Sequence, residues 1–159
     1  MKTTILAFFI TVLSLMSSNT VSAQQEFTWD HYKVSLELPD DFKVVKNTDN
    51  EFECAGVGMH LYMYVFDDGD VTLEQMNKAT RKLGRDLKFE MKDEHYEVDH
   101  NGFEGQYILG YTEGHQVMLA GLINPKNATN FFIVIIFEDG DHVAEEDGKA
   151  ILASLKNDE

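Results

Sequence analysis

The sequence predicts an α+β fold, an α/β sandwich in which two main helices cover a mostly antiparallel β-sheet. Two observations support this prediction. Segments that alternate apolar and polar residues are joined by turns of hairpin length, and two other segments carry apolar residues at helical spacing. Hairpin-length turns join antiparallel neighbours, and a helix buries its apolar stripe against a sheet face. The order along the chain is strands, a helix, more strands and a last helix.

The N-terminal segment has the pattern of an export signal. Lys2 gives a basic start, residues 5–16 are apolar, and residues 21–23 form a small-residue cleavage site. The apolar run is shorter than the roughly 20 residues that a membrane-spanning helix needs. We therefore expect cleavage of a signal peptide near Ala23, a periplasmic or secreted protein without a membrane anchor, and one globular domain over residues 24–159.

Four strands are predicted before the first helix, over residues 34–38, 42–46, 52–55 and 59–66. The first of them alternates apolar and polar side chains and ends at a Pro-Asp-Asp turn. The last one carries apolar or aromatic side chains at every position but one. We therefore expect both of its faces to be covered.

A helix is predicted over residues 72–88. Thr72 and Gln75 have the spacing of a capping box, which marks a helix start. The residues with helical spacing, which should face the sheet, are Leu73, Met76, Thr80, Leu83 and Leu87.

Strands are then predicted over residues 94–100, 103–112, 116–123 and 130–138. Hairpin turns with positive φ are expected at Asn101-Gly102 and Glu113-Gly114. Because residues 131–137 are all apolar and cannot alternate in and out, their strand should be central. A last helix, over residues 143–155, should place Val143, Ala144, Ile151, Leu152 and Leu155 in the core.

Four segments in this order resemble the PsbP-like family. They are residues 32–42 (YKVSLELPDDF), 71–74 (VTLE), 100–105 (HNGFEG) and 150–155 (AILASL), and together they span nearly the whole expected domain. The resemblance implies an α/β sandwich built on an antiparallel sheet. The better-known family members act by binding other proteins, so it implies no catalytic residue.

Charge restricts the partners that this chain can bind. Its net charge is −15, and the expected mature chain is more acidic still because Lys2 is removed with the signal. Such a chain repels phosphate backbones and anionic headgroups, so we expect no nucleic-acid partner and no membrane-surface role.

The residues available for nucleophilic catalysis are few. Beyond residue 23 the serines are Ser35 and Ser154, and neither lies in a Gly-x-Ser-x-Gly elbow. Cys54 is the only cysteine, so no disulfide forms within the chain, and Glu53 beside it disfavours a thiolate. We expect an inert, buried thiol and no enzyme.

Metal binding is the alternative function that the sequence leaves open. His95, Glu97 and Asp99 alternate along one strand and would share a face, as ligands or as a solvated outer face. In the second case Tyr96, Val98 and His100 should point inward. The acidic loops 67–70 and 138–142 offer hard oxygens for calcium, but both precede predicted helices, where carboxylates cap free N–H groups. A divalent-cation-binding protein or a metal-dependent enzyme is therefore the second hypothesis.

A group of cations on the first helix is the candidate interaction surface. Six of the chain's 13 lysines and arginines lie between residues 78 and 92. At about 100° per residue, four of them fall opposite the apolar face. These four, called the basic stripe below, are Lys78, Arg81, Lys82 and Arg85. They form either an ordinary solvated helix face or a docking site for an unknown protein or another anionic partner.

The leading hypothesis is therefore an exported, non-catalytic interaction or binding domain. We expect no tightly bound cofactor. A third hypothesis is an apolar-ligand carrier, suggested by Tyr62, Tyr64 and Phe66 on one strand face, although such rings more often fill a core.

Overall fold

The computed structural model describes residues 24–66, 69–125 and 129–158. Within them the chain forms two helices and ten strands. In chain order these are β1 (Gln24–Trp29), β2 (Val34–Pro39), β3 (Lys43–Asn47), β4 (Glu51–Gly56), β5 (Met59–Val65), α1 (Leu73–Asp86), β6 (Glu90–His100), β7 (Phe103–Thr112), β8 (His115–Asn124), β9 (Thr129–Glu138), α2 (His142–Ser154) and β10 (Lys156–Asn157). The predicted signal segment lies outside the described residues.

The strands form two antiparallel sheets. The large sheet has the order β3-β4-β5-β9-β8-β7-β6, and the small one has the order β1-β2-β10. The apolar strand β9 is central, as predicted, with β5 and β8 as its neighbours. Both edge strands of the large sheet carry register shifts, β3 between Val44 and Lys46 and β6 between Met91 and His95.

The two helices pack on opposite faces of the large sheet. One face is covered by α2 and the small sheet, and this layer holds the largest apolar core, with Trp29, Leu36 and Ile151 packed among side chains of the large sheet. The other face is covered by α1, whose Met76 packs with Ile123 and Phe132 of the two central strands. The predicted fold class is confirmed: two helices pack on a mostly antiparallel sheet.

Local signals in the sequence produce several of these elements. Thr72 and Gln75 form the expected capping box at the start of α1. The two predicted turns have positive φ at both residues, with 53° and 86° at Asn101-Gly102 and 46° and 85° at Glu113-Gly114. Asp141 accepts hydrogen bonds from the backbone N–H groups of Val143 and Ala144, so this carboxylate of the 138–142 loop caps α2.

Two strands were not predicted, and the predicted start of a third was wrong. β1 was not predicted, since its sequence QQEFTW has no clear alternation of apolar and polar residues. β10 was not predicted, because two residues carry no periodic pattern. β6 begins at Glu90 rather than at residue 94, since its pairing with β7 continues past the register shift.

Three expectations about buried side chains were also wrong. Val143 is 72% exposed, because the sheet-facing positions of α2 are the neighbouring Ala144 and residues one or two turns further on. On α1, Leu73 is 39% exposed at the start of the helix and Leu87 is 44% exposed just after its end, so neither is buried against the sheet. On β6, Val98 is buried as expected, but Tyr96 is 40% exposed and His100 is exposed, because β6 is an edge strand.

Candidate functional site

The basic stripe lies along the solvent side of α1. Lys78, Lys82 and Arg85 are exposed, and Arg81 is half-buried. The buried residues of this helix, Met76, Thr80 and Gly84, are on its sheet side. The structure thus places the four cations on one helix, away from the sheet.

Two of the stripe cations interact with neighbours inside the domain. The Lys82 ammonium lies 2.5 Å from the Asp86 carboxylate one turn later. The Arg81 guanidinium donates a long hydrogen bond of 3.4 Å to the Asp93 carbonyl oxygen. Lys78 and Arg85 form no ion pair with any residue that the structure describes. Within the basic stripe, these two side chains are therefore the cations most available to a partner.

An open apolar groove runs between α1 and β5. Its volume is about 590 Å³, and its lining consists of Tyr62, Tyr64, Leu83, Leu87, Phe89, Val134 and Ile136. The Tyr62 and Tyr64 rings stack with centroids 6.2 Å apart and planes within 3°. Burial, together with the nearby Glu51 carboxylate, raises the pKa of Tyr64 to about 12, because both disfavour the charged phenolate. The expectation that both faces of β5 are fully covered was therefore wrong, because α1 lies over β8 and leaves part of this side open.

A second, polar pocket lies on the other flank of α1, against β6 and β7. Its volume is about 210 Å³, and Leu73, Asn77, His95, Glu97, Asp99, Glu104 and Gln106 contribute to its lining. His95, Glu97 and Asp99 thus share a face, as the alternation predicts. Among the described residues, however, no group of three or more His, Cys, Asp or Glu side chains is placed to hold a metal ion. The structure therefore gives the metal alternative no support on β6, and residues 67–68 of the first acidic loop lie outside the described part.

Ser35 and Ser154 are engaged in structural hydrogen bonds. Ser35 is fully buried and contacts the Thr28 hydroxyl at 2.8 Å and the Asp158 carboxylate. The Ser154 hydroxyl donates to the Ile151 carbonyl at 2.8 Å and accepts from the Glu37 N–H at 2.9 Å. These contacts hold the small sheet and the end of α2 together.

Cys54 is fully buried in the main core. Burial, together with the nearby Glu53 carboxylate, raises the pKa of its thiol to about 12. Because the thiolate is the nucleophilic form, the folded protein should present almost none of it at neutral pH.

We expect Cys54 in the folded protein to react with iodoacetamide at pH 8 at least a thousandfold more slowly than in urea. A rise of about three pKa units suppresses the thiolate roughly a thousandfold, and burial slows access further. Mass spectrometry of timed samples measures both rates. Equal rates in the folded and unfolded protein would contradict this expectation.

Sequence reasoning located the stripe and noted Tyr62 and Tyr64 on one face of β5, but it predicted neither the full apolar groove nor the polar pocket. The groove residues are contributed by different elements, and only the position of α1 across the sheet brings them together. The alternation along β6 signalled one wall of the polar pocket. Gln106 and Asn77 gave no signal, because an amide in a strand or a helix is common.

Comparison with known proteins identifies the fold. No family model matches the sequence, and no curated protein matches it significantly. The Ran-binding protein Mog1p of Saccharomyces cerevisiae is similar in structure, with a TM-score of 0.56 and 9% identity over 84% of this chain and 95% of Mog1p. A protein of Bacteroides thetaiotaomicron VPI-5482 has a TM-score of 0.51 and 11% identity over 86% of this chain. This chain spans 48%, about half, of the length of that protein.

LpqN of Mycobacterium tuberculosis, described as involved in cell envelope biogenesis, has a TM-score of 0.48 and 12% identity over 84% of this chain and 90% of its own. The first two likenesses show that this chain has the Mog1 and PsbP-like fold.

Among the described residues, no helix is both long enough and apolar enough to cross a membrane.

Proposed function

We propose that this chain is an exported, non-catalytic binding domain of the PsbP-like family that engages an acidic partner protein through α1. One observation carries the proposal: an acidic chain presents a row of cations on one helix, and Lys78 and Arg85 have no ion pair in the described structure. The positive stripe attracts acidic surfaces and repels basic ones. This selection by charge gives the interaction its specificity.

The apolar groove beside the stripe supports the same proposal. Leu87 is 44% exposed and Tyr64 is 36% exposed, so both offer apolar contact area next to the cations. Interfaces combine an apolar or aromatic centre with a polar rim. An acidic segment that also carries apolar side chains would fill the groove and pair with the stripe.

Two further considerations support the class and the location. Mog1p, which has the same fold, is a Ran-binding protein, so this fold can serve protein recognition. Residues 1–23 have the composition of a cleavable export signal, which supports a location in the periplasm or outside the cell.

Charge reversal of the stripe tests the proposal. We expect the double variant Lys78→Glu/Arg85→Glu to fold normally and to bind the partner at least tenfold more weakly, because two attractive contacts become repulsive. The partner is first identified by affinity capture from the exported fraction of the source organism, and binding of the purified pair is then measured by calorimetry. Reversing Arg81 and Lys82 as well should abolish capture.

The matched control is Lys33→Glu/Lys43→Glu, which changes the net charge equally at exposed positions away from α1. This variant should retain most of the affinity. Equal binding by the wild type and the stripe variant would contradict the proposal, as would equal losses in both variants.

A further inference from the structure

We propose that the apolar groove beside α1 receives one amphipathic helix of the partner protein, with acidic residues on its flank toward α1 and basic residues on its other flank. This helix is the structural element that the acidic partner inserts next to the basic stripe, so the inference rests on the proposed function. The position of α1 on the sheet, the pairing of the strands below the groove and the charges along its two sides lead to it.

The open strip of sheet beside α1 has the width of one helix. α1 lies over β8, with Thr80 against Gly121 and Gly84 against Leu119. In the sheet order, β9 follows β8 and β5 follows β9. Since neighbouring strands lie about 4.8 Å apart, β5 is about 10 Å from β8. Packed helices lie about 8–10 Å apart, so a second helix beside α1 would be centred over β5 and the groove.

An extended peptide is a poorer occupant than a helix, because the floor of the groove has no free strand edge. β5 pairs with β4 on one side and with β9 on the other, and β9 pairs with β5 and β8. The backbone N–H and C=O groups of both strands are therefore already engaged within the sheet. An extended segment on this face would leave its own backbone groups unpaired, whereas a helix satisfies its own.

The lining of the groove requires an apolar inner face on the helix. Each of the seven side chains that line it is aliphatic or aromatic. Leu83 and Leu87 form the wall on α1, and the stacked Tyr62 and Tyr64 rings stand on β5. Leu87 and Tyr64 are 44% and 36% exposed, so docking would remove their apolar surface from water. Apolar residues at i, i+3, i+4 and i+7 of the helix would contact this lining.

The basic stripe borders the α1 side of the groove. Lys82 is next to the groove residue Leu83, and Lys78 precedes Lys82 by one helical turn. Among the described residues, Lys78 has no ion pair, and Lys82 pairs with Asp86 in a solvent-exposed salt bridge. Exposed salt bridges contribute little stability, so the Lys82 ammonium can exchange this pairing for one with the partner. The flank of the helix that faces α1 is therefore acidic.

Carboxylates border the opposite side of the groove. Glu53 is the cross-strand partner of Tyr62 and Glu51 is that of Tyr64, so both glutamates stand on the groove face of the sheet. The neighbouring cation Lys46 pairs with Glu51, and Glu53 forms no ion pair with a described residue. Glu53 thus attracts a cation of the partner, and the second flank of the helix is basic. Opposite charges on the two sides also restrict a given helix to one direction in the groove.

Titration of the purified protein with a designed peptide tests the proposal. The peptide has the length of α1, 14 residues, with leucine at helical spacing, glutamate along one flank and lysine along the other. A composition-matched control keeps the leucines but mixes glutamate and lysine on both flanks. We expect saturable binding with a gain of helical circular dichroism, since so short a helix is marginal in water. The segregated peptide should bind roughly tenfold more tightly than the mixed one, and a central proline should weaken it at least roughly tenfold.

Variants assign the binding to this groove. Leu87→Asp should weaken binding of the segregated peptide at least roughly tenfold, because it places a charge against the apolar face. Its control is Val143→Asp, at a 72% exposed position of α2 on the other face of the sheet. Glu53→Lys should weaken binding roughly tenfold, since an attractive contact becomes repulsive. Glu37→Lys makes the same charge change at an exposed position of β2 and should bind like the wild type.

Three results of the titrations would overturn the proposal: no binding of the segregated peptide, equal binding of the mixed or proline peptide, or unchanged binding by Leu87→Asp and Glu53→Lys. Dodecanol binding in place of the peptide would overturn it in favour of a small apolar ligand. A dimer in sedimentation that Leu87→Asp dissociates would overturn it in favour of a second copy.

The captured partner separates failure of the helix from failure of the proposed function. A partner that is weakened by Lys78→Glu/Arg85→Glu but binds Leu87→Asp like the wild type would refute the helix in the groove alone. A partner that binds the stripe variant like the wild type would refute the proposed function, and the peptide titration would still decide what the groove accepts.

Discussion

Replacing Trp29 with alanine is expected to lower the free energy of unfolding by about 3–5 kcal/mol, the usual cost of deleting a large aromatic side chain from a core. Trp29 is fully buried, and its ring stacks on Phe52 with centroids 6.2 Å apart. It also meets Tyr32 edge-on at 4.8 Å and Phe131 at 6.5 Å. Equilibrium urea unfolding followed by circular dichroism measures the change.

A conservative variant separates packing from hydrogen bonding at this position. The Trp29 indole N–H donates to the Thr48 carbonyl oxygen, which joins β1 to the loop after β3. Trp29→Phe keeps much of the aromatic contact but loses this bond, so we expect a smaller loss of about 1–2 kcal/mol. Equal losses in the two variants would show that aromatic packing contributes little and would refute the argument.

Gly121→Ala is expected to destabilise the domain by about 1–3 kcal/mol through overpacking under α1. A Cβ atom added at Gly121 would lie 1.8 Å from Thr80 Oγ1 and 3.1 Å from the Met76 sulfur. Thr80 is fully buried, and its hydroxyl donates to the Met76 carbonyl at 2.8 Å. The helix must therefore move away from β8, or Thr80 must break this hydrogen bond. Urea unfolding measures the cost.

Two further variants establish that the effect is a steric one between α1 and β8. The double variant Gly121→Ala/Thr80→Ala should be at least about 1 kcal/mol more stable than the sum of the single changes predicts, since removing Oγ1 makes room for the new methyl group. Gly69→Ala should be nearly neutral, because nothing lies within 4 Å of its Cβ position. Strict additivity in the double variant would contradict the steric explanation.

Local patterns made much of the fold predictable. The capping box and apolar spacing predicted α1, and the uninterrupted apolar run predicted that β9 is central. These features depend on neighbouring residues, so they are readable from a short stretch of chain. β10 is different, because its two residues are ordered by pairing with β2. The Asp158 carboxylate accepts from Ser35, 123 positions earlier, and no local pattern encodes such a contact.

The candidate sites were predictable only in part, for the same physical reason. Helical periodicity is enough to place the cations Lys78 and Arg85 opposite the buried side of α1. The pocket around Gln106 depends on how α1 crosses the sheet, and the close approach at Gly121 shows one contact that sets that position. Such side-chain packing between distant segments is not visible in the spacing of residues.

The register shifts in the two edge strands bear on edge-to-edge pairing of the large sheet with a second copy. An exposed, regular edge strand is a template for adding another chain, which is a common start of aggregation. Here β3 is irregular between Val44 and Lys46, and β6 is irregular between Met91 and His95. The lysines of β3 and the carboxylates of β6 further oppose the pairing of each edge with its own copy. These features therefore disfavour edge-to-edge growth of the seven-stranded sheet.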